Sequence, residues 1–365
     1  MKKMRTIGLA ALAALWAVLI LGAWFGPAKD ISESERRKLA QFPELSVKTV
    51  LDGKFMTAFE EYTLDQFPLR DTFRQLKALF HYNALGQKDN NDIYVVDGFA
   101  AELEYPVNQV SVSNAVQKFN KIYEKYLSES NRILVSVVPD KSYHLAEENG
   151  YPAMDYEVLF ASVREGMPWA EYVDITDLLT VEDYYFTDTH WRQERILGVA
   201  ERLCEALDAE PFGEKELTPA VVERPFYGVY YGQAALPMDP EEMTVMSSDV
   251  LDQCTVYNHE TGKTTGIYDW DKLNSRDLYD IYLSGAAALL TIENPNAETD
   301  KELIVFRDSF GSSLVPLLVK DYKTVTVVDI RYVASNFVGN FVDFHGQDVL
   351  FLYSALILNN SNTLK

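Results

Sequence analysis

A chain of 365 residues that is 47% hydrophobic and 13% aromatic has the composition of a folded protein, with length for one large domain or two modest ones. The net charge is −22, yet residues 1–25 hold Lys2, Lys3 and Arg5 and no acid, so the rest of the chain carries −25. A surface that acidic repels nucleic acid and anionic headgroups, and polyanionic wall polymers too unless a basic patch or cations intervene; neutral substrates fit better.

The first element is Thr6–Phe25, a 20-residue run without a charged side chain. That is about the length needed to cross ~30 Å of hydrocarbon. The cations before it favour a cytoplasmic tail at 1–5 and export of everything after residue 25. A cleaved signal peptide has a shorter apolar core and a small-x-small site. The run instead ends in Gly22-Ala23-Trp24-Phe25-Gly26-Pro27-Ala28, so 6–25 reads as an uncleaved, single-pass signal-anchor in the cell membrane.

Residues 26–99 read as a juxtamembrane linker and helices. Phe55, Phe59 and Tyr62, then Phe73, Leu76, Leu79 and Phe80, recur at helical spacing, and Pro68 interrupts them. Two helices with a turn at Gln66-Phe67-Pro68 are expected. Ile93–Val96 is a short extended run ended by Asp97-Gly98.

From residue 100 to 365 the pattern alternates between helix and strand. Val112–Leu127 and Trp191–Leu207 have helical stripes. Ile133–Val138, Tyr172–Ile175, Leu303–Phe306, Thr324–Val328 and Val349–Tyr353 are short β-rich runs. Such alternation predicts an α/β domain, a mostly parallel sheet with helices on both faces. The rhythm breaks between about 209 and 300, a β-rich insertion with an expected hairpin joining Gln253–Asn258 to Thr264–Tyr268. Cys204 falls in a helical stripe, and whether it pairs with Cys254 is open.

Two segments carry chemistry. Asp188-Thr189-His190-Trp191 supplies an Asp-x-His pair. Arg307-Asp308-Ser309-Phe310 places a serine where an apolar strand gives way to an expected helix, Phe310–Lys320. A serine hydroxyl is a poor nucleophile until a base takes its proton and a carboxylate holds that base in the right tautomer. Alone, Ser309 reads as a helix cap and Asp188 as another. The histidines show no metal-ligand spacing, so no metal site is assigned. On softer grounds Asp140, Lys141 and Tyr143, after strand Ile133–Val138, and Arg331 and Tyr332, after Thr324–Val328, lie where α/β sheets bind ligands. Arg331 could hold a carboxylate or phosphate, and Trp191 could offer a sugar-stacking face.

The chain resembles the DHHW protein family, itself similar to the alginate O-acetylation proteins of the SGNH hydrolase-like superfamily. The resemblance rests on Asp65-Gln66-Phe67-Pro68-Leu69-Arg70-Asp71, on Tyr184-Tyr185 before Asp188-Thr189-His190-Trp191, on Arg307-Asp308-Ser309-Phe310, and on Asp329-Ile330-Arg331-Tyr332. It implies a three-layer α/β/α domain in which Asp188 orients, His190 is the base and Ser309 the nucleophile. The chain departs from the family's His-His pair, with Thr189-His190, and has Ala286-Ala287-Ala288 after Gly285 where polar residues are expected. Oxyanion donors are sought in the backbone of Ser309 and Gly285.

The leading expectation is a membrane-anchored, extracytoplasmic O-acyltransferase or esterase, acetyl being the expected group, acting on a cell-surface glycan without a metal or organic cofactor. The resemblance implies a membrane-embedded acyl carrier or acyltransferase as partner. The competing expectation is a non-catalytic glycan-binding or scaffold protein of a polysaccharide assembly.

Overall fold

The computed structural model describes every residue except Met1, Glu33 and Glu214, and for Lys2, Lys3 and Met4 the backbone alone. Of the tail assigned to 1–5, Met1 lies outside the described residues, and the backbone from Lys2 onward is helical. The chain divides into two compact units, one formed by 1–91 with 231–238, the other by 92–230 with 239–365.

The first unit opens with helix α1, Lys2–Phe25. Within it, Arg5–Phe25 is apolar enough to span a membrane, with a mean hydropathy of 2.3. Helices α2 (Lys54–Asp65) and α3 (Arg70–Ala84) follow, broken at Pro68 as the sequence predicts. The Asp65–Asp71 motif is a clamp on the segment before them. Asp65 receives Arg37 and the Ala40 N–H (2.8 Å), while Glu35 receives Arg70 and Arg74. The guanidinium groups hold both carboxyls below their ordinary range, with Arg37 foremost for Asp65 and burial opposing at both sites.

The second unit begins with a hairpin of β1 (Ile93–Val96) and β2 (Phe99–Glu102), followed by α4 (Gln109–Tyr126) and β3 (Ile133–Val138). Then come α5 (Tyr156–Gly166), β4 (Glu171–Tyr172) and α6 (Leu197–Ala206). The main sheet is completed by β5 (Thr255–Asn258), β6 (Lys263–Thr265), β7 (Leu289–Glu293), β8 (Glu302–Arg307), β9 (Thr324–Val328) and β10 (Asp348–Ser354). Eight of these strands form one sheet in the order β6-β5-β7-β9-β8-β10-β3-β4. The run from β9 to β4 is parallel and β5, β6 and β7 are antiparallel.

Alternation along β8 shows how the layers form. Leu303 and Val305 pack with Val199 and Leu203 of α6 on one face. Ile304 and Phe306 pack with Val112, Phe119 and Leu159 of α4 and α5 on the other. Both faces of the parallel strands are therefore buried under helices, and the strands read as continuous apolar runs for that reason.

The β-rich segment 209–300 supplies β5, β6 and β7, which extend the main sheet. Two expectations need correction. The helix expected from Trp191 starts at Leu197, because a β-bridge pairs Trp191 with Tyr184. The helix expected over Phe310–Lys320 is a single turn, Gly311–Leu314, that tightens into a 3₁₀ turn containing Pro316. Cys204 and Cys254 are both free and buried.

Candidate active site

Ser309 owes its position to Asp308. Strand β8 ends at Arg307, and the Asp308 carboxylate then accepts the Phe310 N–H at 3.0 Å, while its carbonyl accepts the Gly311 N–H at 3.2 Å. Its other carboxylate oxygen takes the Ser354 N–H (2.8 Å) and hydroxyl (2.7 Å), fastening the turn to the end of β10. The chain leaves the sheet here, at the carboxyl ends of parallel strands, where open α/β sheets bind ligands. Ser309 is half-buried and within reach of solvent. Gly311 permits the turn's close approach, since a Cβ there would lie 2.7 Å from Arg307 Cβ.

Asp188 and His190 sit on a loop closed at its base by the Tyr184–Trp191 bridge and by the Tyr185 N–H to His190 carbonyl bond at 3.1 Å. Trp191 anchors one arm, its indole N–H donating to Phe310 O (3.1 Å) and Ser313 Oγ (3.0 Å). That bond ties the histidine loop directly to the serine turn.

The three side chains meet. His190 Nδ1 lies 2.6 Å from Asp188 Oδ1 and Nε2 lies 2.8 Å from Ser309 Oγ. The carboxylate accepts, so the proton of a neutral imidazole resides on Nδ1, and Nε2 is free to accept the serine O–H. Asp188 also accepts the His190 N–H (3.1 Å) and, through Oδ2, the Val229 N–H (2.8 Å). The imidazole stacks on Tyr279 at 3.9 Å between centroids and 8° between planes. Tyr279 is itself fixed by its hydroxyl, which donates to Ser313 Oγ at 2.7 Å. Burial pushes the Tyr279 phenol well above its ordinary range, so this ring stays neutral. The arrangement can deprotonate an alcohol and hold the imidazolium that results.

One donor for a developing oxyanion is at hand. The Ser309 N–H has no hydrogen-bond partner among the described residues. Gly285 is a correction to the oxyanion expectation: its N–H already donates to Tyr282 O at 3.0 Å. Its left-handed φ of +83° and a Cβ position 2.3 Å from Asp280 Oδ1 give the glycine a structural reason instead.

The softer candidates fall into two groups. Asp140 and Lys141 are buried. Asp140 accepts the Tyr156 hydroxyl (2.6 Å) and the Ser142 N–H (3.0 Å). Lys141 Nζ donates to the carbonyls of Tyr185 (2.8 Å) and Phe186 (3.2 Å), immediately before the Asp188 loop. Both therefore act on the fold of the site and not on a ligand. Trp191 is likewise fully buried and presents no stacking face. Arg331 is held by Asp329, Nε to Oδ1 at 2.9 Å and Nη2 to Oδ2 at 2.7 Å, so it forms a structural ion pair and not an open anion site. Tyr332 is exposed. Tyr143 is half-buried against Tyr156.

Sequence reading missed the groups that stiffen the Asp188 loop. Glu241 accepts the N–H groups of Phe186 (2.7 Å) and Thr187 (2.8 Å) and the Thr187 hydroxyl (2.7 Å). Lys141 on the carbonyls and Glu241 on the amides thus grip the same stretch. Burial pushes the Lys141 ammonium down to about 7, against the pull of Asp188, Glu241 and Asp140. Tyr230 donates to Thr189 Oγ1 at 3.0 Å and reaches Glu102 at 3.3 Å, whose carboxyl burial pushes up to about 7. No local motif marks Glu241, Tyr230 or Tyr279, which reach the site from segments far along the chain.

No protein-family profile matches the chain, and no curated protein matches it either. Solved structures do. A DHHW family protein from Eubacterium siraeum aligns at a TM-score of 0.63 and 21% identity, over 75% of this chain and 94% of that one. Bacillus cereus PatB1 with a sulfonyl adduct aligns at 0.56 and 14%, over 73% and 95%; a second PatB1 structure aligns at 0.55. The chain thus has a mixed α/β fold with a large, mostly parallel sheet, similar to that of a DHHW family protein, in agreement with the resemblance carried by the sequence motifs.

Proposed function

We propose that the protein is a serine-dependent O-acyltransferase or esterase. The carrying observation is the unbroken chain of contacts from Asp188 through His190 to Ser309, at 2.6 and 2.8 Å. His190 takes the Ser309 proton as Oγ attacks the carbonyl carbon of an acyl ester. The tetrahedral oxyanion is met by the Ser309 N–H, and the donor alcohol departs with the proton from His190. A second nucleophile, a sugar hydroxyl in a transferase or water in an esterase, then gives its proton to His190 and takes the acyl group, and His190 returns the proton to the departing Ser309 Oγ. Acetyl is the proposed group, as the resemblance to the alginate O-acetylation proteins implies, and a neutral cell-surface glycan is the acceptor that best suits a chain of net charge −22. A membrane-embedded acyl carrier is the proposed donor. The apolar N-terminal helix, with its three preceding cations, supports an anchor with a cytoplasmic N-terminus and an extracytoplasmic body.

The test is turnover of an activated acetyl ester by the wild type, Ser309→Ala and His190→Ala. Wild-type turnover that vanishes in both variants supports the reading, and equal rates in all three reject it. A glycan acceptor then separates transfer from hydrolysis.

One observation favours a second reading, a glycan-binding or scaffold protein without turnover. The Gly285 N–H is engaged, which leaves the Ser309 N–H as the backbone donor assigned among the described residues. Loss of one oxyanion donor costs other enzymes about 3 kcal/mol.

A further inference from the structure

The first unit exposes apolar surface out of proportion to its size. Among the described residues, twelve large hydrophobic side chains stand exposed between Phe42 and Leu85, against nine in the whole of 86–365. Single exposed hydrophobics are ordinary, whereas a contiguous group marks a surface that something covers.

Helix α3 shows the pattern most clearly. Phe73, Leu76 and Phe80 are 40%, 56% and 57% exposed, and Leu69, just before the helix, is 67% exposed. At 100° per residue the three helical positions fall within an arc of about 60°. The one buried residue of α3, Ala78, lies on the opposite side. The stripe therefore faces away from the unit's own packing.

Three observations identify what covers it. The contact at Gly22, where a Cβ would come within 3.0 Å of Pro68 Cγ, puts the start of α3 beside the end of α1. Gly22 is three residues, about 5 Å, from the helix terminus at Phe25. Leu69, next to Pro68, thus lies beside the end of the apolar span. Charge agrees: residues 26–91 carry ten cations and ten acids and no net charge, although the chain as a whole carries −22. An anionic lipid surface does not repel this stretch as it repels the chain as a whole.

We propose that α3 lies in the outer interface of a phospholipid bilayer, its Leu69-Phe73-Leu76-Phe80 face set among the acyl chains, as a second membrane contact beside α1. The proposal rests on α1 being an anchor.

The test uses the full chain in nanodiscs of phosphatidylcholine and phosphatidylglycerol. An environment-sensitive fluorophore is placed on Leu76→Cys, Phe80→Cys, Val110→Cys or Trp16→Cys; the two native cysteines are buried. Spin-labelled lipids serve as quenchers. The proposal predicts quenching at 76 and 80 severalfold above that at 110, the exposed position on α4, and approaching that at 16. Quenching at 16 with 76 and 80 no different from 110 overturns it while leaving the anchor intact. A blue-shifted but unquenched label at 76 points to a protein partner or a second copy and also overturns it. Absence of quenching at 16 removes the anchor, and the proposal with it.

Discussion

Asp188→Asn is the sharpest perturbation of the proposed triad, because the exchange keeps shape and removes charge. Among its contacts, Asp188 accepts the His190 N–H and Nδ1–H through Oδ1 and the Val229 N–H through Oδ2. An asparagine has one oxygen and one NH₂, so neither flip satisfies all three. With oxygen toward His190, the NH₂ faces the Val229 N–H and a buried donor is left unmatched, which costs about 1–3 kcal/mol. With NH₂ toward His190, it confronts the backbone N–H and turns Nδ1 into an acceptor. The imidazole proton then moves to Nε2, which can no longer take the proton of Ser309. Loss of the carboxylate in a Ser-His-Asp triad lowers turnover by about 10⁴. The variant should fold with a lowered Tm and hydrolyse an activated acetyl ester at least about 10³-fold more slowly, as read by initial rates beside a thermal melt. A variant that keeps its Tm and more than a tenth of wild-type activity would refute the assignment of Asp188 as orienter.

Three further outcomes follow from the loop's supports. Glu241→Gln places an amide NH₂ against a loop N–H, and should cost about 1–3 kcal/mol and lower ester turnover with KM little changed; a denaturant melt and a kinetic split check both. Gly228→Ala sets a Cβ 2.3 Å from Asp188, so the loop must shift, at about 1–3 kcal/mol, with activity down at least tenfold. The pH dependence has two limbs. Glu102, pushed up to about 7, holds its proton in the fold while the unfolded chain releases it, so its contribution falls as pH rises from about 4.5 to 7. Lys141, pushed down to about 7, is neutral in the fold while the unfolded chain stays charged, so stability rises from about pH 7 toward 10. Glu102→Gln should flatten the acid limb of Tm against pH and leave the alkaline limb in place; an unchanged acid limb would contradict the argument.

Much of the fold was legible because the parallel strands are buried on both faces and so stand out as β-branched runs bounded by turns; β3, β8, β9 and β10 fall within a residue or so of the sequence reading. Helix starts were less legible. Trp191 continues an apolar stripe in the sequence, yet its backbone bridges to Tyr184 and delays α6 to Leu197. Asp188, His190 and Ser309 were visible because a carboxylate two residues from a histidine and a serine at a strand end are local patterns. Glu241, Tyr230 and Tyr279 were not, since each acts through a contact made only when the chain folds. Arg331 and Trp191 misled for the complementary reason. Their types suit binding, but Asp329 and the core claim them.

The account stands on Ser309 being activated by His190. The most direct measurement is peptide mass spectrometry after exposure to a serine-directed fluorophosphonate, for the wild type and His190→Ala. The account predicts a phosphonyl adduct on the Ser309 peptide of the wild type and none, or a trace, on the variant. An unlabelled wild-type Ser309, or equal labelling with and without the imidazole, would contradict it.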